Sequence, residues 1–216
     1  MTTKKMKPPA STVIIMVRHG KTHSTGKLLP GRAAGLHLSD VGQNEALEVA
    51  NRLSKLNRVA AIYSSPLERA RETAAPIGKV FNKKVIINKG LLECDFGNWT
   101  GKELGKLMKL PEWSTVQRTP STFRFPNGES FTEMQARMVS TLDDLRKAHP
   151  GDIVICVSHA DPIKSAVAHA VGTHLDLFQR IVISTCSVSV ISYSAHGPVV
   201  LTVNSIGGDL ADLQIS

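Results

Sequence analysis

Val13-Ile14-Ile15-Met16-Val17-Arg18-His19-Gly20 is the stretch on which the fold turns. Five apolar residues, four of them β-branched, stop at a cation, an imidazole and a glycine. A second run, Ile153-Val154-Ile155-Cys156-Val157-Ser158, stops in the same way at His159. Short runs without polar alternation read as strands buried on both faces, as in a parallel sheet. Ligands of open α/β sheets bind beyond the carboxyl ends of the strands, so both imidazoles are expected in one pocket. Arg18 suggests what that pocket holds, because a guanidinium suits phosphate. A histidine aimed at a phosphoryl group is a candidate nucleophile.

Working outward, strand and helix signals alternate. Gly20 to Leu38 reads as a long loop, after which Ser39 suits a helix N-cap, with Leu47, Val49, Ala50, Leu53 and Leu56 as the apolar stripe. Val59–Tyr63 is the next strand. Ser65-Pro66-Leu67-Glu68 then combines a capping box with proline at the first helical position, and Ala70, Thr73, Ala74 and Ile77 follow at helical spacing. Val85–Ile87 is a short third strand. Leu91 to Gly128, broken by Gly97, Gly101, Pro111, Pro120 and Pro126, reads as an excursion over the sheet edge that serves as a partial lid. Ser130-x-x-Glu133 caps a helix with Phe131, Met134, Met138, Leu142 and Leu145 on one face. After strand Ile153–Val157 a helix is expected from about Pro162 to Val171, with Asp161 as its N-cap. Val188–Tyr193 and Val199–Val203 are the last strands. The alternation implies an α/β fold, a three-layer αβα sandwich with a mainly parallel central sheet.

The chain has 216 residues, enough for one domain with a sizeable core; residues 11–216 are expected to form it, with residues 1–10 as a disordered basic tail. The formal net charge is +8, but residues 1–39 hold seven of the 26 basic residues and none of the 18 acidic ones. The rest is nearly balanced, so the excess belongs to the tail and the candidate phosphate pocket, and nucleic acid is not an expected partner. No apolar stretch approaches the ~20 residues that span a bilayer, and no apolar segment follows the first lysines as in a secretory signal. Cys94, Cys156 and Cys186 are few, odd in number and widely spaced. They read as reduced core cysteines of a cytoplasmic protein. A homodimer through an edge strand or a helix face is compatible with such a fold.

The chemistry that fits these residues is phosphoryl transfer through a phosphohistidine. It needs a neutral imidazole in line with phosphorus, cations around the equatorial oxygens and an acid for the leaving alkoxide. His19 takes the first role. Arg18 and Arg69 form the clamp, and a protonated His159 donates to the transferring group. Glu93 is the acid, with Asp95 as the second candidate. Lys21 and Arg32, on the basic first loop, are candidate substrate contacts. No His, Cys or carboxylate spacing suits a metal, and no cofactor is implied.

At this point the chain resembles the histidine phosphatase superfamily, the fold shared by cofactor-dependent phosphoglycerate mutases and many small phosphatases. Arg18-His19-Gly20 with Thr22, Leu38-Ser39-x-x-Gly42 and Ser65-Pro66-Leu67-Glu68-Arg69-Ala70-x-x-Thr73-Ala74 match its signatures. So do Leu92-Glu93-x-x-Phe96-Gly97-x-Trp99-x-Gly101, Gly128-Glu129-Ser130 and Ser158-His159-Ala160. The resemblance spans Val13 to about Val203 and implies metal-independent hydrolysis of a small phosphorylated metabolite, with inorganic phosphate as the other ligand. Thr25 stands where the family often has a phosphate-binding asparagine; Thr25 and Ala160 are carried as phosphate-site candidates. Ala160-Asp161 replaces the common Gly-Gly or Gly-Asn, and an aspartate there repels anions unless it faces a cationic or hydroxyl-bearing leaving group.

A phosphoglycerate mutase-type phosphomutase is the alternative. The glycolytic mutases carry a longer insertion with adjacent arginines, whereas Gly101 to Gly128 holds only Arg118 and Arg124, well apart. A non-catalytic phosphate-binding module is a third reading, opposed by the intact His19, Glu93 and His159.

Overall fold

The computed structural model describes residues 11–208 and 210; the expected basic tail, residues 1–10, lies outside the described residues. The first strand, β1, covers Thr12–Arg18 and is followed by the long loop and helix α1 (Asp40–Leu53). Then come β2 (Val59–Ser64), α2 (Glu68–Val80) and β3 (Val85–Ile87). The excursion holds only short pieces, with α3 (Leu104–Leu107) and α4 (Trp113–Arg118) among 3-10 turns. Helix α5 (Phe131–Ala148), β4 (Ile153–Ser158), α6 (Ala160–Ala170), β5 (Val188–Ser194) and β6 (Gly197–Ser205) complete the order.

The six strands lie in the order β3-β2-β4-β1-β5-β6. The first four are mutually parallel, while β5 and β6 are antiparallel additions on the other side of β1. The β1 run is apolar without interruption because both faces are covered. Val13, Ile15 and Val17 pack with α1 and α2 residues such as Leu53 and Ile77. Ile14 and Met16 pack on the other side with Met138 and Leu142 of α5 and Ile163 of α6. These are the three expected layers. Among the described residues no helix is long and apolar enough to cross a membrane.

Local signals succeeded where nothing competed with them. Ser39 accepts from the Gly42 N–H at 3.2 Å, and Ser130 and Glu133 form the expected capping box. Three expectations fail. Leu47 is 60% exposed, because Ala46, Val49, Ala50 and Leu53 already fill the face of α1 that meets the sheet. The second capping box does not form: α2 begins at Glu68 behind Leu67, with no side-chain cap. Helix α6 starts at Ala160 with His159 at the N-cap, so Asp161 lies inside the first turn.

Two glycines explain how the loop after β1 closes. A Cβ on Gly20 would sit 2.6 Å from the Gly42 carbonyl oxygen, and one on Gly42 only 2.0 Å from that of Lys21. Backbone thus meets backbone where α1 begins. The excursion packs Trp99, Phe123 and Phe125 against Phe131 of α5, which in turn meets Phe178, with ring centroids 4.9–5.5 Å apart, mostly edge to face. Such pairs add about 0.5–1.5 kcal/mol each beyond burial, which fixes a segment with little regular structure. Trp99 also stacks on Trp113.

Candidate active site

Three neighbouring strands, β2, β4 and β1, end level with one another. The His19 N–H donates to the Ser158 carbonyl at 2.9 Å, and the Ser65 N–H to that of Val157 at 3.0 Å. This register places Ser65, His159 and His19 side by side past the strand ends. The two imidazole centroids are 5.1 Å apart. Arg69 enters from the first turn of α2.

The tautomer of His19 follows from its partner. Nδ1 lies 2.8 Å from the Gly20 carbonyl, which can only accept, so Nδ1 carries the proton and Nε2 presents its lone pair. Burial, then Arg69 and Arg18, hold its pKa well below the ordinary histidine value, so the ring is neutral. Arg69 is fully buried; its Nε donates to that Nε2 at 3.2 Å and its Nη2 to the Gly31 carbonyl at 2.7 Å. Arg18 donates from Nη1 to the Ile183 carbonyl at 2.6 Å.

Three buried nitrogens nearby have no partner: Arg18 Nε, Arg69 Nη1 and His159 Nδ1. Buried donors are nearly always satisfied, and leaving one unpaired costs about 1–3 kcal/mol, more when it is charged. Three together leave a concentration of unused donor capacity beside His19.

His159 departs from expectation in its charge. It is fully buried, and burial, followed by the charge of Arg69, pushes its pKa well below 6.5. It is therefore a neutral donor in these surroundings, not an imidazolium. Ser65, which sequence reasoning assigned to a helix cap, sets its tautomer. The Ser65 hydroxyl accepts weakly from the Leu67 N–H at 3.4 Å and lies 2.8 Å from His159 Nε2. Among the described residues no other acceptor takes the hydroxyl proton, so Ser65 donates to Nε2 and the His159 proton resides on Nδ1. Ser65→Ala is expected to lower kcat about tenfold, the scale of one lost buried hydrogen bond. The 15N shifts of the His159 ring should report a mixed tautomer; unchanged shifts would show that Ser65 only packs.

Glu93 is buried and its Oε1 accepts from the Cys94 N–H at 2.9 Å. Burial, then the nearby charge of Asp161, raises its pKa from 4.5 to about 7, against the pull of Arg69 and Arg18. Such a carboxyl suits acid and base work near neutrality. Asp95, the second candidate, points elsewhere: its side chain is 39% exposed, pairs with Arg32 and accepts from the Gly97 N–H. The segment carrying Glu93 is fastened through its backbone. Arg137 donates to the carbonyls of Gly90, Leu92 and Glu93 and is held by Glu129 at 2.8 Å. Burial would raise Glu129, but Arg137 and Arg32 hold its pKa below the usual range.

A cavity of about 410 Å³ opens over His19. Of the candidate residues Arg18, His19, Glu93, Thr25 and Ala160 line it, while Arg69 and His159 are buried behind its wall. Thr25 is partly spent, its Oγ1 accepting from the Thr22 N–H at 2.9 Å. Lys21 and Arg32 are not part of the wall. Lys21 is exposed, and Arg32 holds Glu129 at 2.9 Å and the Glu93 carbonyl at 2.9 Å, because the excursion needs its charge to dock. The expected partial lid forms a wall, bound to the first loop through the Leu29 and Lys102 backbones at 2.9 Å. Sequence reasoning missed Lys164 and Gln179, which also line the cavity. Neither carries a motif; α6 brings Lys164 there, and the 3-10 turn Leu175–Arg180 brings Gln179. Among the described residues no three His, Cys, Asp or Glu side chains are grouped to hold a metal ion.

Comparison with known proteins places the chain in a family. The family model of the histidine phosphatase superfamily, branch 1, matches residues 14–206. Phosphoserine phosphatase 1 of Hydrogenobacter thermophilus is 32% identical over 196 residues, covering 88% of this chain and 91% of that protein. A metal-independent phosphoserine phosphatase of Arabidopsis thaliana is 35% identical over 162 residues, covering 71% and 66% respectively. Among solved structures, a phosphoserine phosphatase mutant of Entamoeba histolytica in complex with phosphoserine is 26% identical with a TM-score of 0.81, over 90% of this chain and 98% of that one. The same enzyme in complex with 3-phosphoglyceric acid gives 26% and 0.80, over 90% and 97%. With strand ends, imidazole pair and arginines in place, the chain belongs to branch 1 of the histidine phosphatase superfamily, as an enzyme of the phosphoglycerate mutase-like phosphatase type.

Proposed function

We propose that this enzyme hydrolyses small phosphomonoesters without a metal ion, through phosphate held covalently on Nε2 of His19. The observation that carries the reading is the group of unpartnered donors, Arg18 Nε, Arg69 Nη1 and His159 Nδ1, beside an imidazole whose Nε2 bears a lone pair. Relatives named as phosphoserine phosphatases, one of them metal-independent by name, support a small phosphorylated substrate.

The steps follow from the positions. A phosphoryl group entering the donors draws the Arg69 Nε–H from Nε2 to its own oxygens. The freed lone pair attacks phosphorus as the ester P–O bond breaks, and Glu93 gives its proton to the departing alkoxide. Glu93, now a carboxylate, takes a proton from a water whose oxygen attacks phosphorus. The P–N bond breaks, orthophosphate leaves and Nε2 regains its lone pair. Two arginines and a neutral donor supply the stabilisation that a metal ion provides elsewhere.

Turnover of p-nitrophenyl phosphate and of alkyl phosphates is expected to survive excess EDTA unchanged. Rapid quenching should trap an acid-labile, base-stable phosphoenzyme. Loss of turnover on chelation with recovery on adding a divalent cation would refute the metal-free part, and label on serine or aspartate would refute the histidine intermediate.

A further inference from the structure

We infer that Asp161 selects the leaving group, fitting the site to phosphomonoesters whose alcohol carries an ammonium group and no second anion. The inference rests on the phosphatase reading for the position of the phosphoryl group, and it concerns another residue of the same cavity wall. Two carboxyl groups, Glu93 and Asp161, line that cavity, close enough for the charge of Asp161 to act on Glu93. The Asp161 side chain is 16% exposed, and Lys164 takes only its Oδ1, at 3.1 Å. Oδ2 is therefore available to a ligand cation.

No free cation waits for a second anion. The basic side chains that line the cavity, among the described residues, are Arg18 and Lys164. Arg18 serves the phosphoryl group. Lys164 is held by Asp161, by the Gln179 amide oxygen at 3.0 Å, and over the Phe178 ring at 5.9 Å. An extra carboxylate or phosphate would face Glu93 and Asp161 with no unpaired partner, whereas an ammonium meets Asp161 at no such cost. Leu28, Leu29, Leu104, Ile181 and Ile183 supply the remaining wall, which suits a short hydrocarbon part. Asp161 also sits in the first turn of α6, where any acid favours the helix dipole. That role alone would change stability and leave the ranking of ligands untouched.

The test separates the two readings. Hydrolysis of p-nitrophenyl phosphate by the wild-type enzyme examines the phosphatase reading. Binding of uncleaved esters to His19→Ala protein, measured by calorimetry, examines the leaving-group reading whatever the kinetics show; His19→Asn serves if the alanine variant does not fold. The probes are phosphoethanolamine, glycerol 3-phosphate, O-phosphoserine and 3-phosphoglycerate, the last two because the Entamoeba relative is seen with both kinds of ligand. Phosphoethanolamine should bind about tenfold tighter than 3-phosphoglycerate, as expected for one partly screened charge pair, with the others between. Adding Asp161→Asn should collapse that ratio to within about twofold, chiefly by weakening phosphoethanolamine. The inference is overturned if 3-phosphoglycerate binds as tightly as phosphoethanolamine before the change. It is equally overturned if Asp161→Asn weakens all four ligands alike or leaves their ratio intact.

Discussion

His19→Ala is expected to abolish turnover, by on the order of 10⁴-fold or more, on every phosphomonoester the wild-type enzyme accepts. Losing the nucleophile removes the covalent path itself, and such losses are the largest single-residue effects in covalent catalysis. The reason lies in the geometry around Nε2. Gly20 holds the proton on Nδ1, burial and two arginines keep the ring neutral, and Arg69 Nε donates to the Nε2 lone pair. Phosphoenzyme should be absent from the variant, while vanadate should still bind because Arg18, Arg69 and His159 remain. The measurement is single-turnover quenching beside calorimetry with vanadate. Residual label at the wild-type level would move the nucleophile to another residue.

Glu93→Gln should slow alkyl phosphates by about 10²–10⁴-fold while leaving cleavage of p-nitrophenyl phosphate far less affected in the phosphorylation step. An alkoxide must be protonated as it leaves, and a nitrophenolate need not be. The protonated form is the active acid, so kcat/KM for alkyl esters falls as pH rises through about 7, the value to which burial and Asp161 bring Glu93. That limb should vanish in Glu93→Gln. In Asp161→Asn it should move to lower pH, since a like charge has been removed. The substitution should change stability in the opposite sense to activity. A carboxyl raised above its unfolded value of 4.5 binds its proton more firmly when folded, so the fold loses stability as pH rises from about 4.5 to 7. Glu93→Gln escapes that loss and should melt higher than wild type at pH 8, which distinguishes lost chemistry from lost folding. Asp95→Asn, a change outside the cavity wall, should leave the alkyl-to-aryl ratio as it is. The reverse pattern, with the selective loss in Asp95→Asn, would transfer the acid to Asp95.

Much of this was legible in the chain because the signals were local. Uninterrupted β-branched runs state burial on both faces, and the polar residues that end them state where the strands stop. The Ser130–Glu133 capping box depends on residues three apart and formed as read. The same kind of signal at Ser65 to Glu68 misled, since a hydroxyl can satisfy only so many partners. Ser65 follows the end of β2 beside β4, and its hydroxyl gives its proton to the His159 ring. Asp161 misled for a related reason. Helix α6 begins at Ala160 with His159 as its N-cap, which puts Asp161 in the first turn and in the cavity wall with Glu93.

The sequence by itself determined the parallel core, the ends of its strands and the residues delivered there, because burial pattern and covalent adjacency are properties of neighbouring residues. It thereby named His19, His159, Arg18 and Arg69. Only the tertiary structure decided which charges remain available. Arg32 is consumed by Glu129, Lys164 by Asp161 and Gln179, and His159 loses the charge expected of it. Charge state and charge pairing depend on burial and on partners up to a hundred residues away, as Ser65 and His159 are 94 apart. Low dielectric in the closed interior then amplifies each of those distances.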